Sequence, residues 1–337
     1  GIEYEWQLVR QVLPTITLGD VTTLARQRLA DDSRVILAVS PEKADLRPPT
    51  EAELRAALTS AEMAAIAPWS DTTADRALML KTPQAGTVVS RRELPEVGVT
   101  VVRFSNGLEA WLKPTDFKND QVLFTMYAPG GTSLAPPSDF LNASLAAPYV
   151  ARSGVDGLSA TDLQKMLAGK IASASPSISL SSQSISGSAA PADLETALQL
   201  LYQQFNSPGD EAVAFDTMRR QLQAAAENRG QSPGQVFSEC LERLNTLDHY
   251  TSQPLTEDAV ATLARAKMLA FYRDRFANAA DFTFFMVGAF NSDQAIPLLA
   301  QYLGSLPSTG QRTSAFKDVG LHFPGSIERS RCEKGRE

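Results

Sequence analysis

The sequence predicts an α+β fold: a mixed, largely antiparallel sheet with helices packed on one face, preceded by the tail of a similar domain. Three observations carry this prediction. Leu108, Ala110 and Leu112 alternate with Glu109, Trp111 and Lys113, and Val122, Phe124 and Met126 alternate with Leu123, Thr125 and Tyr127. That is the period-two pattern of pleated strands. A serine-rich stretch then places Ile178, Leu180 and Ile185 at strand-like spacing; a flexible linker also has this composition, but two strands joined by a turn would complete a sheet. Finally, apolar residues recur at helical spacing between 138 and 303, as in helices that bury one side.

Taken in order, Thr17-x-x-Asp20 is a capping box, in which hydroxyl and carboxylate satisfy backbone donors at a helix start. Val21, Leu24, Ala25 and Leu29 form the apolar side of that helix, and Arg34–Val39 follows as a buried strand. No earlier segment supplies the strands it needs, so residues 1–40 are expected to close a domain that begins further upstream. Residues 41–102 are expected to be an interdomain linker. A second capping box, Thr50-x-x-Glu53, opens a short helix there, and Pro83, Gly86, Pro95 and Gly98 interrupt regular structure. The piece Gly86–Ser90 can still add to a sheet edge.

Residues 103–308 form the expected complete domain. The strand Val122–Tyr127 has two fairly apolar faces and fits the sheet interior, and Gly130-Gly131 marks a tight exit from it. A helix follows from about Ser138 to Arg152, with Pro148 inside it. Ser159-x-x-Asp162 caps the next helix, and Pro191 opens one with the stripe Leu194, Leu198, Leu201, Phe205. Further helices run from Asp210 towards Asn228-Arg-Gly230, from Pro233 to about Leu247, and from Thr256 past Val260, Leu263, Ala264 and Phe271. Phe282–Val287 is expected as a strand buried on both faces, and Asp293–Leu303 as the closing helix. Residues 309–337 begin a connection to a following domain. Thr17, Val21, Thr23, Leu24, Ala25 and Arg26 recur as Thr256, Val260, Thr262, Leu263, Ala264 and Arg265, which suggests an internal duplication.

Composition and motifs exclude more than they assign. A net charge of -7, with no run of Lys or Arg longer than two, disfavours nucleic-acid and anionic-membrane surfaces. No apolar stretch approaches the roughly 18 residues needed to cross a bilayer. No nucleophile elbow, P-loop or dinucleotide-binding turn is present, and the serines from Ser173 to Ser188 have no base beside them. The two histidines, His249 and His322, lie far apart in sequence, each without a second ligand nearby. Zinc catalysis needs three protein ligands, with helix-borne histidines at i and i+4. No residue is therefore assigned a catalytic, cofactor-binding or metal-binding role. Whether Cys240 and Cys332 pair cannot be deduced from sequence.

The strand from Asn106-Gly107-Leu108, the strand that follows it and the helix ending before Gly154 resemble the start of a domain in the pitrilysin/insulinase family of zinc metallopeptidases. In that family's catalytic domain the helix carries an inverted zinc motif, H-x-x-E-H. Here Leu145-Ala146-Ala147-Pro148-Tyr149 stands in its place, and Glu227 falls near the position of the third ligand. The resemblance implies a metallopeptidase- or processing-peptidase-like half: the non-catalytic second-half domain of a zinc endopeptidase. In such an enzyme two bowl-like halves enclose a chamber for peptides or unfolded proteins. It implies zinc in the parent protein with ligands outside this chain, the N-terminal catalytic half of the same polypeptide as partner, peptide substrates, and a bacterial periplasmic location. A scaffold or assembly protein that kept the fold without the enzyme, and a peptide-binding module using a sheet edge, are the alternatives.

Overall fold

Seven strands form one sheet in the computed structural model, which describes residues 1–29, 34–40, 46–67 and 76–326. The chain divides into two units, Gly1–Ser70 and Asp71–Glu337, and the sheet belongs to the second.

The first unit holds α1 (Ile2–Val12), α2 (Leu18–Arg28) and α3 (Glu51–Met63). Both expected capping boxes form. The Asp20 amide donates to Thr17 Oγ1 at 3.2 Å while Asp20 Oδ2 accepts from the Thr17 amide at 2.9 Å, and Thr50 and Glu53 repeat the exchange. The expected buried strand over Arg34–Val39 is not found. Val35, Leu37 and Val39 are 90%, 83% and 87% exposed, and the segment pairs with no described strand. A β-prone run becomes a strand only where a neighbour takes its backbone donors and acceptors, and none of the described residues does so. Helix α2 likewise leaves Val21 and Leu24 exposed.

In the second unit the sheet order is β1 (Val88–Leu94), β2 (Val99–Phe104), β3 (Glu109–Pro114), β7 (Thr283–Gly288), β4 (Val122–Pro129), β6 (Ser182–Ala189), β5 (Ala172–Ile178). Every pair is antiparallel except β3 with β7. A parallel pair needs a long crossover, and here the crossover contains most of the domain. The hairpin β1–β2 belongs to the sheet, so the sheet begins well before residue 103, inside the stretch expected to be linker. The Gly86 amide donates to Ala300 O at 2.8 Å, which ties that stretch to the domain.

Helices α4 (Phe140–Arg152), α5 (Ala160–Met166), α6 (Leu194–Asn206), α7 (Ala212–Glu227), α8 (Pro233–Asn245), α9 (Glu257–Ala261), α10 (Arg265–Arg275) and α11 (Ser292–Tyr302) complete the unit. One face of the sheet contributes Val102, Phe104, Leu112, Phe124, Met126, Ile185, Phe284 and Met286 to a core shared with Tyr149 of α4, Leu198 and Leu201 of α6, Tyr272 of α10 and Leu299 of α11. Burying each such side chain contributes about 1.5–3 kcal/mol. The serine-rich segment is the hairpin β5–β6, and Ser159 caps α5 through the Asp162 amide at 3.1 Å.

Two expectations are corrected here. The helix expected from Thr256 is two helices. Between them the buried Asn142 of α4 intrudes: its Oδ1 accepts the Ala264 amide at 2.9 Å, and its amide nitrogen lies 3.5 Å from Thr262 O. A side chain that satisfies backbone groups in this way competes with the i to i−4 ladder. Strand β7 is buried on one face only: Phe284 and Met286 are enclosed, while Phe285 and Val287 are 44% and 38% exposed. The duplication also fails to extend to structure. Helix α2 is continuous where its counterpart is broken, and Arg34–Val39 is no strand.

Gly131 is a position only glycine fits. Its φ is +66°, and a Cβ there would meet Ser179 O at 2.2 Å. Beyond α11 the chain turns back along the sheet unit, held by side chains. The Ser314 amide donates to Asp281 at 2.8 Å, and Asn278 Nδ2 donates to Gln311 O at 2.9 Å. No described helix is long and apolar enough to cross a membrane.

Candidate functional site on the open sheet face

Helix α4 carries Leu145–Tyr149, the five residues expected where the resembled family has its zinc motif. Ala146, Ala147 and Tyr149 are buried against the sheet and neighbouring helices, and Leu145 packs at the edge of the same core. The Tyr149 hydroxyl donates to Asp210 Oδ1 at 2.6 Å, and its ring meets Phe215 edge-on at 6.0 Å. Burial, then the hydrogen bond to Asp210, pushes the Tyr149 phenol up to about 12, so it stays protonated at neutral pH. Pro148 is exposed on the outer side of α4, where water can take the carbonyl its missing N–H leaves unpaired. Aliphatic side chains and a proton-bearing phenol committed to a carboxylate do not fit zinc, which takes imidazole, thiolate or carboxylate donors. No metal step passes through these residues.

The other sequence candidates are dispersed. Glu227 ends α7 and is exposed. His249 Nδ1 accepts from the Thr251 amide at 3.4 Å and Nε2 faces Val319 O at 3.0 Å. A carbonyl can only accept, so Nε2 carries the proton and the ring fastens the chain beyond α11. His322 is exposed. The amides of Gly130 and Gly131 are occupied by Ser181 O at 2.8 Å and Gln183 Oε1 at 2.7 Å, as a tight strand exit requires. Among the described residues no three of His, Cys, Asp and Glu are placed to hold a metal ion. Cys332, and with it the question of pairing with Cys240, lies outside the described residues.

What the topology does assemble is the second face of the sheet. Register sets three rows across it. Trp111, Phe285, Thr125, Ser186 and Ser175 stand side by side on β3, β7, β4, β6 and β5. On one flank lie Glu109, Thr283, Tyr127, Ser184 and Ser177; on the other, Lys113, Val287, Leu123, Ser188 and Ser173. The aromatic and aliphatic residues of these rows, Trp111, Phe285, Tyr127, Val287 and Leu123, lie on β3, β7 and β4 among Thr125, Thr283, Glu109 and Lys113, while β6 and β5 present a ladder of serine hydroxyls.

Leu123, Tyr127 and Phe285 are each more than two-fifths exposed. Trp111 lies 6.2 Å from the Phe285 ring, donates its indole N–H to Glu109 at 2.8 Å, and is covered by the Arg92 guanidinium at 5.7 Å. The hydroxyls bond one another: Thr125 with Ser186 at 3.0 Å, Ser173 with Ser188 at 3.2 Å. Two cavities open on this face. The larger, about 560 Å³, is bordered by Arg103, Glu109, Trp111, Thr283, Phe285 and Arg312; the smaller, about 240 Å³, by Phe117, Lys118, Leu123 and Val287. The larger cavity is walled mainly by polar and charged groups beside two aromatic rings, and the smaller mainly by apolar ones; apolar walls with a few convergent polar groups suit ligand contact. The available signal in the sequence was aromatic residues on the register opposite the core, at Trp111, Tyr127 and Phe285, where a solvated sheet face carries polar ones.

No family model matches the chain. It is 29% identical over 335 residues to a zinc protease PQQL-like protein of Arabidopsis thaliana, an alignment covering 97% of this chain and 32% of that protein. Among solved structures it resembles the periplasmic protease PqqL of Escherichia coli, with a TM-score of 0.67 and 21% identity over 86% of this chain and 32% of that one. It also resembles a peptidase M16 inactive domain of Pseudomonas fluorescens, with a TM-score of 0.52 and 18% identity over 65% of this chain and 53% of that one. The chain spans a quarter to about a third of the length of the curated relatives it matches. Along nearly all of its length, then, this chain is similar to proteins named zinc proteases of the PqqL type, and it shares its fold with the PqqL structure and with a peptidase M16 inactive domain, in line with its resemblance to the pitrilysin/insulinase family.

Proposed function

We propose that this chain is the inactive wall of a zinc endopeptidase whose metal ligands lie elsewhere in the parent polypeptide. The observation that carries the reading is the one-sided sheet. Helices bury one face, while the other keeps half-exposed aromatic, aliphatic and hydroxyl side chains on a rigid frame. Such a face contacts an extended peptide without cutting it: apolar side chains rest on Trp111, Phe285 and Leu123, and polar ones reach the serine ladder. The partner is the catalytic half of the same polypeptide, which supplies zinc and the general base. The enclosed space between halves admits peptides or unfolded chains. A periplasmic location follows the description of the Escherichia coli relative.

The test compares the isolated chain with the whole parent protein. The chain alone is expected to cleave no peptide and to retain no stoichiometric zinc after dialysis. The parent cleaves, and Tyr127→Ser with Phe285→Ser in the parent raises KM with little change in kcat. Peptide cleavage by the isolated chain, or one tightly held zinc in it by metal analysis, overturns the proposal.

A further inference from the structure

We infer that the cavity between Arg103 and Arg312 is a subsite for a carboxylate side chain of a peptide lying on the open face, an inference that rests on the peptide-wall reading above. Arg103 stands directly across from Glu109 in the β2–β3 register, and opposite charges so placed ordinarily pair. Here they do not. The Glu109 carboxylate also borders the cavity, but it accepts the Trp111 indole N–H at 2.8 Å and lies 3.8 Å from Arg92 Nη2, so its charge is engaged by those two groups and not by Arg103. Arg312 donates to a neutral group, Thr283 Oγ1, at 3.2 Å. Neither guanidinium has a carboxylate partner among the described residues, although the chain as a whole carries a net charge of -7.

Both border a cavity of about 560 Å³ whose wall includes Trp111 and Phe285. Gly107 and Gly310, at φ +88° and +77°, form part of the rim and leave it unfilled. A guanidinium offers a planar fork of donors that matches a carboxylate. The aromatic wall suits the methylene groups that carry an Asp or Glu carboxylate. The occupant is therefore an acidic residue of an extended peptide, with its backbone along the sheet face.

The experiment uses two fluorescein-labelled peptides of alternating Thr and Val, identical except for a central Glu or Gln. They are titrated against the 337-residue chain by anisotropy. The Glu peptide is expected to bind about tenfold tighter, as charge-assisted pairing provides, with the ratio shrinking as salt is added. In the Arg103→Gln/Arg312→Gln chain, checked by circular dichroism for an intact fold, the ratio is expected to fall towards one. Equal affinities in the unaltered chain, or a preference that survives the double substitution, overturn the subsite and leave the wall reading in place. Binding of neither peptide overturns both.

Discussion

Replacing Tyr149 by Phe tests whether this residue, expected where the resembled family has its second motif histidine, serves tertiary structure. The substitution keeps the ring and its edge-on contact with Phe215 at 6.0 Å, and removes only the hydroxyl that donates to Asp210 at 2.6 Å. A hydrogen bond to a charged acceptor contributes about 1.5–3 kcal/mol. Asp210 is partly exposed and lies 3.6 Å from Arg265, so water and that guanidinium take over part of the lost interaction. The lower end applies, and the expected loss is about 1.5 kcal/mol at neutral pH.

The pH dependence sharpens the test. Burial, then Asp210, raises the phenol to about 12 from an ordinary 10.0. A raised pKa means the folded state holds its proton after the unfolded chain has lost it, so stability falls as pH rises from about 10 to about 12. The phenylalanine variant lacks this loss. Urea unfolding followed by circular dichroism at pH 7 and pH 11 should therefore show the gap between the two proteins closing at the higher pH. Equal stability at pH 7, or a gap of constant size across the window, would refute a structural role for this hydroxyl.

Other outcomes follow from the same contacts. Asn142→Ala strands the Ala264 amide at the junction of α9 and α10, and is expected to cost about 2 kcal/mol; hydrogen exchange at Ala264 should accelerate about thirtyfold, and an unchanged rate would contradict the role given to Asn142. Asp281→Ala removes the acceptor for the amides of Thr313 and Ser314. Trypsin cleavage after Arg312 or Lys317 should then be about tenfold faster, with the sheet core still protected, as limited proteolysis with mass spectrometry can read.

Much of the architecture was legible locally. The capping boxes at Thr17 and Thr50, the cap at Ser159, the buried stripe of α6 and the β5–β6 hairpin each depend on groups a few residues apart, so their pattern is written in the segment itself. The run Leu145–Tyr149, which stands where the resembled family carries its motif, is equally local, because five residues span about one and a half turns of one helix. Long-range partners were not legible. Asn142 breaks a helix some 120 positions away, and nothing between Thr256 and Phe271 announces it. The aromatic run at 282–287 reads as a strand enclosed on both faces, since hydrophobicity reports a preference for burial and not whether a second layer exists to provide it.

By itself the sequence determined the capping boxes, the strands with alternating burial, the helices with a buried stripe, and that the chain is acidic. Tertiary structure decided the rest: that β7 enters between β3 and β4, that β1 and β2 join the sheet, and that one face keeps half-exposed side chains with Arg103 and Arg312 on the border of one cavity. The reason is the range of the forces involved. Caps and periodic burial act within a few residues, whereas pairing order and the vacancy beside a guanidinium depend on which distant segment arrives as its neighbour.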